Sequence, residues 1–581
     1  MIESSPKKRM SWRKRILFFL LALFSLFCGR ILYYAATQKP LYVSPETTYI
    51  TEPLRKDGTV DYAVAINKQN KIGITPENNA IVLLSQALSP EFTSEQLENA
   101  YYAEIGCLEK PTYRKKFVPA GHFGEKLTAD YLAEYPINDP NITPEEMDRR
   151  QDCINEIEHR FDVECEFAHS HPWSSETYPD VANWLDHNRQ VLDMVLLAAE
   201  KSEYYNPFIH GESEALSDKA VEYGPSQIPL QLRFVIDAVQ VRGMRALDEG
   251  RKEEALQHFQ AVAKLTFYLS KEPDQLIWSF CHSHIRNLRH FYRALIEAGF
   301  NTPEDLDRCE KIIESLEEFP SLSEVYDKST RIFVLDQVTQ ALYRPYFNNS
   351  SSTFRNEYTV GSVKSLFRID WDVVFKQLQH NIDLRVSALK EAEKTKSFAP
   401  IEEFYSRNGE QIEQNYETLE VIEYIKYDIS LSRKEFSIRF GDAMYGLCGP
   451  WQKLDYMFRQ EIDSRTYLRL LKLAIKLERH RLQEGDYPQS LEELVPTLPS
   501  HDFWDPYNNK PLQYKRNDRG FLLYSIGADG IDSDGQHSLY YGQELDDICI
   551  NVHYPLPEAK YERPEMHFPE PSNKKRPVGR D

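Results

Sequence analysis

The chain has 581 residues, enough for two or three domains and a sizeable core, and 90 acidic against 69 basic side chains give it a net charge of −21. The charge is uneven: residues 1–30 carry seven basic residues and one acid, which leaves −27 for the remainder. So acidic a body argues against a nucleic-acid or anionic-lipid partner, and eight cysteines with no C-x-x-C spacing exclude a disulfide scaffold.

Lys7, Lys8, Arg9, Arg13, Lys14 and Arg15 precede an apolar run from Ile16 to Gly29, which Arg30 interrupts once before Ile31 to Ala36. The uninterrupted part is short for a bilayer that needs about 20 residues. With Arg30 reaching to the interface beside Tyr33 and Tyr34, the whole span suffices. The basic flank predicts a cytoplasmic N-terminus, a single membrane-spanning helix within residues 1–37, and a chain that is otherwise periplasmic or outside the cell. A cleaved signal peptide is the competing reading, but no small-x-small site follows at the usual distance, and Phe27 before Cys28 does not suit a lipoprotein site.

From Gln38 to about Asn70 the composition predicts an extended polar linker, the first part of a mixed segment ending near residue 180. Thr75-Pro76-Glu77 reads as a helix start with a hydroxyl cap and Pro in the first turn, and Ile81, Leu84, Ala87 and Leu88 supply a buried face. A helical domain is expected over 181–446. Val181, Trp184, Leu185, Leu192, Val195, Leu196 and Ala199 keep one helical period. Phe234–Leu247 and Ala255–Leu269 form a helical hairpin across Gly250, similar to one tetratricopeptide unit, but no period of that length recurs, so an irregular bundle is the expectation. Further helices are expected at Leu322–Tyr343, Trp371–Glu393 and Thr418–Arg433, with a loop at Asn348–Thr353. The Pro-rich tail of residues 552–581 reads as disordered.

No phosphate-binding glycine loop, serine elbow, H-E-x-x-H or dinucleotide fingerprint occurs. Two short clusters combine soft and imidazole donors: Cys165, His169 and His171, and Cys281, His282 and His284. Neither has a fourth ligand nearby, and residues one or two apart on a helix point in different directions. Cys153 with Cys165, or Cys281 with Cys309, suit either an isolated bridge or buried free thiols.

Residues 447–551 read as a small α+β module. Leu468, Leu470, Leu471, Leu473, Ala474 and Leu477 make one face of a long helix that Gly485 and Pro488 end. Ser490 and Glu493 have the spacing of a capping box for a second helix. Leu512–Arg516 and Phe521–Ile526 read as a hairpin closed by Asn517-Asp518-Arg519-Gly520. An acidic loop follows with Asp529, Asp532, Asp534, Asp546 and Asp547. Carboxylates so crowded either stay solvated or surround a cation, and calcium, with about 6 to 8 oxygen ligands in loose geometry, suits them better than magnesium. The spacing excludes a helix-loop-helix calcium hand, since its first and twelfth positions would be Gly530 and Tyr541.

Gly485-Asp486-Tyr487-Pro488 with Leu491 and Leu494, then Asp505-Pro506-Tyr507, Gln513-Tyr514, Leu523 through Gly530 and Asp547-Ile548, resemble the C-terminal part of the major pseudopilin of type II secretion, general secretion pathway protein G. That resemblance implies calcium held by the carbonyl of Ile526 and the carboxylates of Asp529 and one or both of Asp546 and Asp547. Asp532 and Asp534 join the candidate set as acids of the same loop. The family's double glycine is replaced by Ile531-Asp532-Ser533-Asp534, and Gln536–Leu545 lengthens the loop. The pseudopilin processing motif is absent and more than four hundred residues separate membrane segment from module, so assembly into a pseudopilus is not expected. Glu46 through Leu54, Asp61-Tyr62 and Gly73 through Ala80 resemble the start of a family of membrane-anchored proteins of planctomycete bacteria that have the same helical middle and pseudopilin-like end. That family implies no activity.

The expected architecture is therefore mainly α: one membrane helix, an irregular helical ectodomain and a pseudopilin-like module. The expected function is a non-catalytic envelope interaction or scaffold protein with an unidentified envelope partner. An accessory of a secretion or pilus-like machine and an envelope hydrolase using acids or the Cys165/His169/His171 cluster are the alternatives.

Overall fold

The computed structural model describes residues 12–37, 41–92, 94–107, 116–138, 142–209, 227–272, 274–343, 369–408, 431–448, 453–497, 503–536 and 547–555. The expected loop at Asn348–Thr353, most of the helix expected at Thr418–Arg433, Asp546 and the tail beyond residue 555 lie outside them. Among the described residues the protein is mainly helical, with one three-stranded antiparallel sheet. Its residues group into two compact units that interleave along the chain: residues 1–72, 208–223 and 321–458, and residues 73–207, 224–320 and 459–581.

In the first unit, Trp12–Ala36 is one helix, and its Trp12–Tyr34 portion is long and apolar enough to cross a membrane. Arg433 donates to the carbonyls of Tyr34 at 2.6 Å and Thr37 at 3.0 Å, and Arg30 donates to the carbonyl of Leu431 at 2.8 Å. The last turn of a helix leaves carbonyls without intrahelical partners, and Arg433 satisfies two at this end. Where an extended polar linker is expected, the chain instead forms the helices Pro45–Thr48 and Tyr62–Asn70. Proline spacing misleads here because Pro45 sits in the first turn, behind a Ser44 cap, and its carbonyl accepts from Gln379 at 2.9 Å. Gln379 belongs to the helix Trp371–Thr395, which packs on Arg433–Cys448. The expected continuous helix at Leu322–Tyr343 contains a π-helical turn, Tyr326–Thr330. Arg331 follows it, buried, donating to Asp327, Gln379 and Asp383.

In the second unit the helix expected from Thr75 begins later, as Ala80–Leu88. Asn79 caps it by accepting from the Ile81 amide. Asn78 and Ala80 exchange backbone hydrogen bonds with Glu203, which holds residues 75–79 out of the helix. The single period read from Val181 to Ala199 is two helices, Pro179–His187 and Arg189–Ala199. Asn188 breaks it: fully buried, its side chain accepts from the Val118 amide and donates to the carbonyls of Val118 and Trp184. The hairpin at Gly250 is present as Gln227–Asp248 and Lys252–Leu269, with Gly250 at φ +75°. Both pack on Gln275–Glu297.

The long helix runs Leu454–Glu484, and its portion from Arg459 onward belongs to the second unit. Leu470, Leu471, Leu473, Ala474, Ile475 and Leu477 are buried. On the rim, Lys476 pairs with Glu310 at 2.9 Å, Arg479 with Glu310 at 2.7 Å and Asp307 at 2.5 Å, and Lys472 with Glu317. Glu478 is fully buried, and takes the hydroxyl of Tyr487 at 2.5 Å and Arg481 at 3.0 Å. Gly485 adopts φ +86° and ends the helix as expected. The expected capping-box helix is a 3-10 segment, Leu491–Thr497, because the Glu493 carboxylate takes the Gln489 amide, one residue before the expected Ser490 partner.

β1 (Gln513–Arg516), β2 (Phe521–Ser525) and β3 (Ile548–Val552) form the sheet in that order, with Tyr514 opposite Leu523 and Leu523 opposite Ile550. The Asn517 side chain accepts the amides of Arg519 and Gly520 and closes the β1–β2 hairpin. A Cβ on Gly520 would lie 1.9 Å from the carbonyl oxygen of Val552, so β3 can approach only a glycine. Gly520→Ala should therefore lower stability by roughly 2–4 kcal/mol in denaturant titration, with the loss read as detachment of β3; a variant as stable as the parent would contradict this packing.

Candidate calcium loop and histidine clusters

Asp505 is buried at 2 % exposure and organises the module's turns. Its carboxylate accepts the Tyr507 amide at 2.9 Å, the Ser525 hydroxyl at 2.8 Å and the Ile526 amide at 3.2 Å. It thus ties the Asp-Pro-Tyr turn to the end of β2, where the acidic loop begins. Gly527 and Gly530 take φ +66° and +70°, the left-handed region that glycine enters without strain.

Asp547, just before β3, is fully buried. Its Oδ2 accepts the amides of Ser533 at 3.0 Å and Gly535 at 2.7 Å, while its Oδ1 is buried with no partner. Burial, with the charges of Asp532 and Asp529 added, pushes the Asp547 carboxyl up to about 6 against the two amide hydrogen bonds. Asp532 accepts the Tyr524 hydroxyl at 3.1 Å and the Asp534 amide at 3.0 Å, and Asp529 accepts the Ile531 amide at 2.8 Å. Asp534 is turned toward Lys515. The loop thus gathers the charges of Asp529, Asp532 and Asp547, engages Asp534 with a cation of β1, and leaves one buried carboxylate oxygen without a donor. Among the described residues, no three His, Cys, Asp or Glu side chains converge on one point as a metal site.

The two Cys/His clusters are divided differently from their order in the chain. His169 and His284 both face Asp237, a residue the sequence did not single out, with Nε2 of His169 3.5 Å and Nδ1 of His284 3.4 Å from its Oδ1. Burial acts to raise the Asp237 carboxyl, yet hydrogen bonds from His169 and His284 hold it below the usual carboxylate range. Gln240 donates to the carbonyls of His169 and Asn287 and approaches Nδ1 of His169 at 3.4 Å. Cys165 takes no part, and burial beside Asp162 and Glu164 pushes its thiol upward, away from the thiolate that nucleophilic or metal chemistry needs. Cys281 is buried with its thiol pushed up by burial, and His282 lies edge-on to Trp278 with ring centroids 3.9 Å apart. Cys153, Cys165, Cys281 and Cys309 are all free.

Compared with known proteins, the chain matches no family model, no curated protein and no solved structure.

A carboxyl whose folded-state pKa is raised above its unfolded value of about 3.9 contributes stability below pH 4 that is lost as pH rises through 6. Without divalent cations, Asp547→Asn should accordingly be more stable than the parent at pH 7.5, by roughly 1–2 kcal/mol, and the difference should close below pH 4. Urea titrations at the two pH values check this; a less stable variant at pH 7.5 would contradict it.

Proposed function

We propose that this protein is a single-pass, membrane-anchored extracytoplasmic protein with its N-terminus in the cytoplasm, acting as a non-catalytic scaffold for an envelope partner. Residues 447–551 then form a pseudopilin-like, calcium-stabilised module that caps the helical body. The basic flank before residue 16 supports the orientation, since cytoplasmic ends carry the excess of Lys and Arg. Arg433 and Arg30 tie the end of the apolar helix to the first unit, which favours a retained anchor over a removed leader.

The observation that carries the scaffold reading is the seating of the long helix. A subunit joining a pilus-like filament must offer that helix to its neighbours. Here Leu470, Leu471, Leu473, Ala474, Ile475 and Leu477 are buried, and Lys472, Lys476 and Arg479 are paired with acids of residues 307–317 in the same chain. That weighs against an accessory of a secretion or pilus-like system. The hydrolase reading loses its Cys/His cluster, because Cys165 is held as a thiol and His169 is engaged by Asp237 and Gln240.

Calcium suits the acidic loop because an orphaned, buried carboxylate oxygen beside two further aspartates is costly unless a cation compensates it. Asp529, Asp532 and Asp547 would hold the ion, together with the Ile526 carbonyl and Asp546 that the pseudopilin resemblance adds; Asp534 belongs with Lys515. The ion would supply positive charge beside the orphaned oxygen of Asp547.

Melting the ectodomain with calcium and with chelator tests this reading. Calcium at about 100 times its dissociation constant should stabilise the folded state by roughly 2.7 kcal/mol and raise the midpoint accordingly. Asp547→Asn should abolish the rise, whereas Asp534→Asn should retain most of it. An unchanged midpoint for the parent protein would remove calcium from the account.

A further inference from the structure

Helices Lys252–Leu269 and Gln275–Glu297 hold an unusual number of buried imidazoles, of two kinds. His284 has a carboxylate beside it, Asp237. His258 has only Glu254 of its own helix, set against Arg242 and Arg251, and His282 has none among the described residues. His258, 1 % exposed, uses Nδ1 on the Glu254 carbonyl at 2.6 Å, and its Nε2 is buried without a partner among the described residues. The charges around it are Arg242, Arg251 and Glu254.

His282 is the more exposed to consequence. At 6 % exposure it has no hydrogen-bond partner on either ring nitrogen among the described residues. Its ring lies against Trp278 from its own helix and Phe319 from the following segment, at centroid distances of 3.9 and 6.0 Å. The long helix closes the remaining side. Ser464 donates to the His282 carbonyl at 3.3 Å, and the charge that bears on the ring from that helix is Arg465, itself paired with buried Glu461. One turn away, the Ser279 hydroxyl donates to Gln460 at 2.8 Å. A neutral imidazole forgoes one hydrogen bond as donor and one as acceptor at this site. An imidazolium there is a buried charge with a cation as its charged neighbour and no acceptor within reach, which is far more costly.

We propose that His282 is an acid-operated latch between the Gln275–Glu297 helix and the long helix: a proton taken from solvent onto its ring makes their contact unfavourable and releases the long helix with its sheet. The ring gains one proton and one charge, and nothing else reacts. Burial and Arg465 push the folded-state pKa of His282 down to about 3, and burial and Arg242 push that of His258 down to about 4 in spite of its backbone hydrogen bond. A histidine with a depressed folded-state pKa favours the folded state above its unfolded pKa of about 6.5 and loses that advantage as pH falls toward the folded value. Between pH 7.5 and pH 5, His282 alone should shift the closed-to-open equilibrium about 30-fold toward the open form.

Hydrogen exchange on the intact chain in detergent, corrected for the intrinsic pH dependence of amide exchange, reads this opening. Amides 464–477 should lose about 30-fold or more in protection between pH 7.5 and pH 5. Those of the hairpin around Tyr131, Ile154 and Ile157, which has its own apolar cluster, should lose less. His282→Phe keeps an aromatic ring and His282→Gln a neutral polar group, so whichever variant folds should show a loss about 30-fold smaller over the same range. Unchanged protection of 464–477 in the parent, or an equal loss in the parent and a folded variant, would overturn the latch.

Discussion

The second unit depends on one contact, the seating of the Leu454–Glu484 helix from Arg459 onward. Its buried leucines supply the favourable burial, at about 25 cal/mol for each Å² of apolar surface removed from water. The Lys472, Lys476 and Arg479 pairs with acids of residues 307–317 lie toward the surface and set register more than they add stability. The sheet depends on that seating: Tyr487 reaches back to Glu478 of the helix, Arg293 approaches Asn551 of β3, and Glu297 accepts the amide of His553. The sheet has strands of only four or five residues, and here the rest of the unit covers it.

Polar groups buried in that unit were left with unequal compensation. Glu478 has two donors and Asp505 has four, while the half-exposed Asp237 has two imidazoles beside it. Asp547 keeps one oxygen without a donor, and His282 keeps two ring nitrogens without partners. Such residues make a fold sensitive to its medium, because each is neutral or charged at a cost that pH or a bound cation changes.

Local rules made much of this legible. Gly485, the Asn517–Gly520 turn and the Gly250 hairpin each follow from one residue's backbone preference, and each stands where expected. The apolar stripe of the long helix gave its buried face. Features set by distant partners were not legible. Asn188 breaks a continuous helical period because Val118 lies beside it, and Asn79 displaces Thr75 as a cap because Glu203 pairs with the neighbouring backbone. β3 has no alternation to announce it, since both of its faces are buried. The histidine clusters failed similarly: neighbours in sequence are not neighbours in space on a helix, and Asp237, which gathers two of them, belongs to a third helix. Of the acidic loop, the residue types pointed to a cation, while the division of roles among Asp532, Asp534 and Asp547 needed the positions of Tyr524, Lys515 and the Ser533 and Gly535 amides.

Zero-length carbodiimide coupling followed by peptide mass spectrometry tests the central claim most directly, since it joins a lysine to a carboxylate only when they are in contact. The seated helix predicts intramolecular Lys472–Glu317 and Lys476–Glu310 links in the monomeric protein at pH 7.5. Absence of both, with the same lysines linked to carboxylates of another copy, would show a long helix offered outward and would contradict the account.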